Sequence, residues 1–284
     1  MKPSEHFKKI SLFIIWIWFT LFALLPFCLV LVSSILSHSS AALITPPITF
    51  EHYARLANPL YWQILQKSIL VAGITTFISL CLGYPFAYII ATATNRFKPL
   101  LLLLVIIPFW TSSLIRSYAM IAMLKAKGIL NSLLLMLGII HEPLTILFTN
   151  TAVIMGLVYN LLPFMILPLI TNIERLDRRL IDAAHDLGAN WLTTFRRVII
   201  PLTLPGILAG SIMVFLPAMT IFYIPDILGG AKSMLLGNLI QNQFFIAENW
   251  PMGAAISTML TILLALLILF YLWATKGSKR SDWL

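Results

Sequence analysis

Six stretches of this chain carry no acidic or basic residue: Ile10–Phe50, Ser68–Asn95, Pro99–Ile115, Pro143–Ile173, Val198–Pro225 and Asn249–Thr275. Most exceed the roughly 20 residues with which a helix crosses about 30 Å of hydrocarbon. Apolar residues make up 60% of the 284 and charged ones only 10%, too few to cover a water-soluble surface. The expected class is therefore all-α, a polytopic membrane protein in the lipid bilayer with six transmembrane helices near 11–36, 64–91, 99–123, 149–171, 203–224 and 253–275. Strands of a membrane barrel are short and alternate in polarity, whereas these runs are long and continuously apolar. The chain is read as a single transmembrane domain, 1–284.

Lys2, Lys8 and Lys9 precede the first run, but it is longer than the about 7–15 apolar residues of a secretory signal, so it is expected to stay as an anchor. Cys28 and Cys81 fall inside spans, where a packed or lipid-facing thiol implies neither a disulfide nor a metal site. Six spans place both termini on one side. Thirteen of the nineteen basic residues group with those termini: Lys2, Lys8, Lys9, Arg96, Lys98, Arg175, Arg178, Arg179, Arg196, Arg197, Lys276, Lys279 and Arg280. By the positive-inside rule that side is the cytoplasm. The net charge of +9 thus reads as a topology signal, and no nucleic-acid partner is required to explain it.

On the outer side, Asn131–Ile140 is apolar but too short to span, which suits a helix lying in the interface or packing over the other helices. The inner loop 172–201 is the longest cytoplasmic segment. Within it ERLDRRLIDAAHDL has helical spacing, Gly188 suits the position after a helix end, Asn190 suits the start of a second helix, and Pro201 marks re-entry into the membrane. Ala183 and Ala184 leave the backbone open to close approach by another protein, and Asp182 offers that protein a carboxylate. A plain amphipathic connector with its charges in water is the alternative.

The spacing Asp182-Ala183-Ala184, three residues, Gly188, nine residues, Val198, one residue, Ile200-Pro201 resembles the EAA loop of type I ABC-importer permeases. Asp replaces the usual Glu, Val the usual Ile, and Ile the usual Leu. The likeness extends over about residues 10–275. It is most specific to spermidine/putrescine permeases of the PotB type, through LGYPFAYIIA (82–91), PFWTSSLIRSYAM (108–120), GLVYNLLPFMILPL (156–169) and FYIPDILGGAKSMLLGNLI (222–240). The resemblance implies a type I ABC-importer permease fold in a bacterial inner membrane. It also implies a PotC-type permease partner, two PotA-type ATPase subunits and a PotD-type periplasmic polyamine-binding protein. The 172–201 loop would then dock on an ATPase, with Asp182, Ala183, Ala184, Gly188 and Pro201 as its coupling residues.

The chain contains no G-x-x-x-x-G-K-[ST] phosphate loop, so ATP is expected on a partner subunit and no cofactor on this one. HEPLT at His141 lacks the second histidine of a zinc site, and no nucleophile–base spacing is present, so neither catalysis nor metal binding is expected. An ion-coupled secondary carrier is the alternative from another class, and an importer permease for a different small substrate is the alternative within the class. A carrier normally shows ionisable groups inside its spans and an internal repeat.

A polyamine path calls for carboxylates and aromatic faces. The candidates are Asp226, with Phe222 and Tyr223 just before it, Trp110 and Tyr159. Each aromatic reads equally as helix packing or an interfacial belt, and Asp226 equally as the cap of a following helix. Arg116 is expected to snorkel or pair with an acid and, with Lys232, is left out of the path because it would repel a cation. Glu51, Glu142 and Glu248 are read as outer-loop acids.

Overall fold

The computed structural model describes residues 5–39, 42–230 and 233–276; Lys2, Lys232, Lys279 and Arg280 lie outside them. Helix α1 (Glu5–Phe19) continues through a π-helical turn, Thr20–Leu24, into α2 (Leu25–Ser33). An antiparallel hairpin follows, β1 (Leu36–Ser39) and β2 (Ala42–Ile48), so the first span ends at Ser33 and not at 36. Then come α3 (Glu51–Leu56), α4 (Pro59–Thr92), α5 (Lys98–Ile106), α6 (Ser113–Leu124) and α7 (Ile129–Met136). The rest of the chain forms α8 (Asn150–Ile173), α9 (Arg178–Asp186), α10 (Trp191–Thr194), α11 (Ile200–Thr220), α12 (Tyr223–Gly229), α13 (Leu236–Phe245) and α14 (Trp250–Lys276). Among the described residues, six helical segments are long and apolar enough to cross a membrane: Lys8–Ser33, Pro59–Thr92, Ser113–Met136, Asn150–Ile173, Trp191–Thr220 and Trp250–Leu269.

Two of the expected spans are interrupted. The third, 99–123, is not one helix: α5 tightens into a 3₁₀ turn, Ile107–Trp110, and Thr111 and Ser112 turn extended (ψ 143° and 133°) before α6 starts. The fifth, expected at 203–224, ends at Thr220 because Ile221 is extended (ψ 122°), and the chain restarts as the short α12. Asp226 therefore lies in the first turn of α12, beyond a break, and not at the end of a span.

The chain divides at Trp62/Gln63, Asn238/Leu239 and Leu266/Leu267 into two compact units. In the one holding the N-terminal helices, the Ser34 hydroxyl and the Tyr53 phenol lie 2.7 Å apart and the His52 ring meets the Leu36 carbonyl at 3.2 Å, so α3 is tied to the turn after α2. Phe244 and Trp250 pack edge to face at 5.8 Å, where Gly253 leaves room for the Phe244 ring.

The other unit is built on the pairing of α8 with α11. Leu157, Met165 and Leu169 of α8 are fully buried, as are Val214, Ala218 and Met219 of α11 and Ile224 and Leu228 of α12. The helices approach closely because Gly210 has no side chain: a Cβ there would sit 2.8 Å from the Met165 sulfur and 3.0 Å from its carbonyl oxygen. In a bilayer, where lipid tails offer apolar surface as readily as a neighbouring helix does, such close backbone packing is what holds helices together. Asn131 fastens α7 to the chain on either side of it, its amide donating to the carbonyls of Lys125 and Leu144 and its oxygen accepting from the Leu144 N–H at 2.9 Å.

Candidate functional site

The inner loop is a helical hairpin closed by local signals. Asp177 caps α9 by accepting from the Arg179 N–H at 3.0 Å, which starts that helix later than the expected run from 174. At its end Gly188 adopts φ +80°, the Gly188 N–H donates to His185 O at 2.9 Å, and the Ala189 N–H donates to Ala184 O at 3.0 Å. That paired pattern is the Schellman motif, and it turns the chain sharply. Asn190 caps α10 through the Thr193 N–H at 2.9 Å, and α10 runs through a π-helical turn, Phe195–Ile199, into α11, with Pro201 in its first turn.

Asp182 and Ala183 face outward, Ala184 is half-buried, and no ion pair to Asp182 exists among the described residues. Leu187, at the turn, is 89% exposed, and Leu192 is 74% exposed. The sequence reading passed over both; a leucine beside the glycine of a polar hairpin was the signal. Behind the hairpin, Trp191 packs tilted on Tyr88 (6.0 Å) and edge to face on Phe195 (5.0 Å), and Phe195 edge to face on Tyr84 (5.6 Å), whose hydroxyl lies 2.9 Å from that of Thr203. These contacts pack the hairpin against α4, and α4 in turn meets α11 through Tyr84 and Thr203.

The second site is a cavity of ≈ 590 Å³ at the two helix breaks. Trp110, Thr111 and Ser112 come from the first break, Ile221 and Tyr223 from the second, and Asn160 and Phe164 from α8. The Tyr223 hydroxyl donates to the Ser113 hydroxyl at 3.0 Å, pinning the start of α12 to the start of α6. Carbonyls at the second break meet the start of α13: Gly237 lies against Thr220 O, and the Asn238 amide donates at 2.8 Å to Phe222 O, which also accepts from the Asp226 N–H. Non-helical backbone at membrane depth survives only where protein covers it or a water-filled cavity receives it, and transporter sites form at such discontinuous helices.

Trp110 and Tyr223 thus share the cavity wall. Tyr159 is half-exposed and stands against Arg116, and Phe222 packs edge to face on Tyr223 at 6.0 Å. Asp226 is not part of the wall: it accepts a hydrogen bond from the Asn238 amide and is otherwise exposed, so it bridges to α13 through a side chain instead of capping that helix.

Arg116 departs from expectation. It neither snorkels nor pairs with an acid: it is 8% exposed, lines the cavity, and its guanidinium lies 5.7 Å from the ring centres of Phe109 and Tyr159. Its Nε and Nη1 are buried without a hydrogen-bond partner among the described residues, as is the Asn160 Oδ1. Arginine inside a span was its sequence signal; of the two rings that hold it, Phe109 comes from the same expected span and Tyr159 from α8.

Comparison with known proteins gives concordant matches. Residues 83–280 match the family described as binding-protein-dependent transport system inner membrane component. The spermidine/putrescine transport system permease protein PotB of Haemophilus influenzae is 52% identical over 277 residues, covering 98% of this chain and 97% of that protein. PotB of Escherichia coli is 49% identical over 259 residues, covering 91% and 94%. Among solved structures, a bacterial alginate ABC transporter in complex with an alginate pentasaccharide-bound periplasmic protein superposes with a TM-score of 0.78 at 14% identity, covering 96% of this chain and 95% of that one; this is a likeness of fold alone.

Proposed function

Because this chain belongs to the family of binding-protein-dependent transport system inner membrane components, we propose that it is the permease subunit of an ATP-driven importer of spermidine and putrescine, forming half of the translocation path. The observation that carries the reading is the near-half identity, over almost the whole chain, to two permeases named for that transport. The aromatic cavity between two broken helices agrees with it, since organic ammonium groups are held by ring faces and by acceptors such as the Asn160 Oδ1.

In this reading the whole chain acts as one permease domain of a multi-pass inner-membrane protein, with both termini in the cytoplasm. The ion pair between Lys98 and Glu174, 2.9 Å, joins two of the loops that the basic residues group together, which supports their lying on one side; the positive-inside rule makes that side the cytoplasm. The partners are a PotC-type permease, two PotA-type ATPases and a PotD-type periplasmic binding protein. ATP is bound and hydrolysed on the PotA-type subunits, and this chain carries no cofactor and no catalytic group. Asp182, Ala183, Ala184 and Gly188, with the exposed Leu187, form the face that seats on the ATPase, and Pro201 begins the helix that carries the motion inward.

A second reading has a specific observation behind it. The cavity wall carries a guanidinium and no carboxylate, which suits a cargo without positive charge. Cells lacking polyamine uptake, supplied with this chain and its three kinds of partner, separate the two. Accumulation of labelled spermidine or putrescine that unlabelled polyamines suppress, and neutral or acidic solutes do not, is the expected result. Absence of polyamine accumulation from an assembled complex, with uptake of an uncharged or acidic solute, overturns it.

A further inference from the structure

A guanidinium withdrawn from water without a counter-charge is costly to keep, and ring faces recover only part of what hydration supplied. Arg116 is nonetheless placed there, on the wall of the cavity at the two helix breaks, with Nε and Nη1 unpartnered and two aromatic rings each 5.7 Å away. No carboxylate lies on that wall, so the ring faces and the unpartnered Asn160 Oδ1 are the groups there best suited to an ammonium. The faces of Phe109 and Tyr159 are already taken by a cation that belongs to the protein.

Resting on the polyamine reading above, we propose that Arg116 is an internal stand-in for the cargo: it occupies the face of Phe109 on the cavity wall and of Tyr159 beside it, and an ammonium group of the polyamine displaces it. Two like charges do not share one pair of ring faces, so the arriving ammonium has to move the guanidinium, and the guanidinium returns as the cargo leaves. The competition keeps cargo binding weak within the path, which is what a conducting site requires, since a cargo held tightly there is not released. Arg116 is on this account a residue that sets affinity. Capturing the cargo falls to the aromatic wall and Asn160.

The sign of the effect distinguishes this role from a structural one, because removing a competitor tightens binding whereas damaging a wall weakens it. Labelled spermidine is titrated into the purified complete complex, without the binding protein, for the native chain, Arg116→Gln and Arg116→Lys. Spermidine is expected to bind Arg116→Gln about tenfold more tightly than the native complex, as loss of the competing cation–π contacts allows. Arg116→Lys, which keeps the charge, should stay within a few-fold of native, and Arg116→Met carries the same expectation as Gln if the Gln variant does not assemble. In uptake, the neutral variants should move less spermidine per ATP hydrolysed. Unchanged or weaker spermidine binding by an assembled neutral variant overturns the stand-in role while native uptake upholds the cargo. A native complex that neither binds nor imports spermidine overturns both.

Discussion

Gly188 stands at φ +80° with nothing within 4 Å of where a Cβ would be, so its substitution isolates backbone strain from packing. Alanine in the left-handed region costs about 1–2 kcal/mol. In Gly188→Ala the amide of Ala189, whose hydrogen bond to Ala184 O closes the turn, should exchange with solvent faster by about five- to thirty-fold, while the membrane helices keep their native protection. Native exchange at that amide would show that the hairpin does not depend on the glycine. Asp226 separates in a different way. Asparagine keeps an oxygen to accept from Asn238 but loses the charge, so Asp226→Asn should assemble normally with its partners, and polyamine uptake should fall severalfold if the exposed carboxylate draws in ammonium groups. Full uptake by that variant, beside an Asp226→Ala variant that loses assembly, would make the bridge to α13 the residue's whole role.

At the scale of elements, the hairpin of the inner loop was readable because each of its signals acts within a few residues: the cap at Asn190, the left-handed glycine, the proline at the start of α11. The breaks at Thr111–Ser112 and Ile221 were not. Pro108 and Pro217 precede them, yet Pro85, Pro163, Pro168 and Pro205 lie inside continuous helices, so proline by itself does not announce a break. What settles the breaks is far away in sequence, the Asn238 amide on the Phe222 carbonyl and the Tyr223 hydroxyl on Ser113. The placing of Arg116 was hidden twice over, by the backbone break that turns the nearby Phe109 toward it and by the distance in sequence to Tyr159. Ala183, exposed on α9, tests the docking role of the hairpin as an element. Glutamate there preserves the helix but blocks close approach, so Ala183→Glu should insert normally while stimulated ATP hydrolysis and uptake become uncoupled, uptake falling about tenfold or more. Coupled hydrolysis and uptake at native rates in Ala183→Glu would rule out docking through that face.

For the molecule as a whole, orientation in the membrane is set by the distribution of basic residues and is open to direct chemical test. In a chain freed of Cys28 and Cys81, which are both exposed and unpaired, Lys127→Cys should react with an impermeant thiol reagent from the periplasm, and Arg196→Cys only after the inner membrane is opened. Reversed labelling would invert every assignment of the hairpin to the cytoplasmic ATPase. In the proposed function this chain is moved by a partner's ATP hydrolysis acting on the inner hairpin, and not by an ion gradient. Vesicles holding the complete complex separate the two, by following labelled spermidine against ATP supply and against imposed proton and sodium gradients. Accumulation should require ATP and the ATPase subunits and be unaffected when both gradients are collapsed; accumulation driven by a gradient in vesicles that contain this chain but no ATPase would overturn the ATP-driven reading.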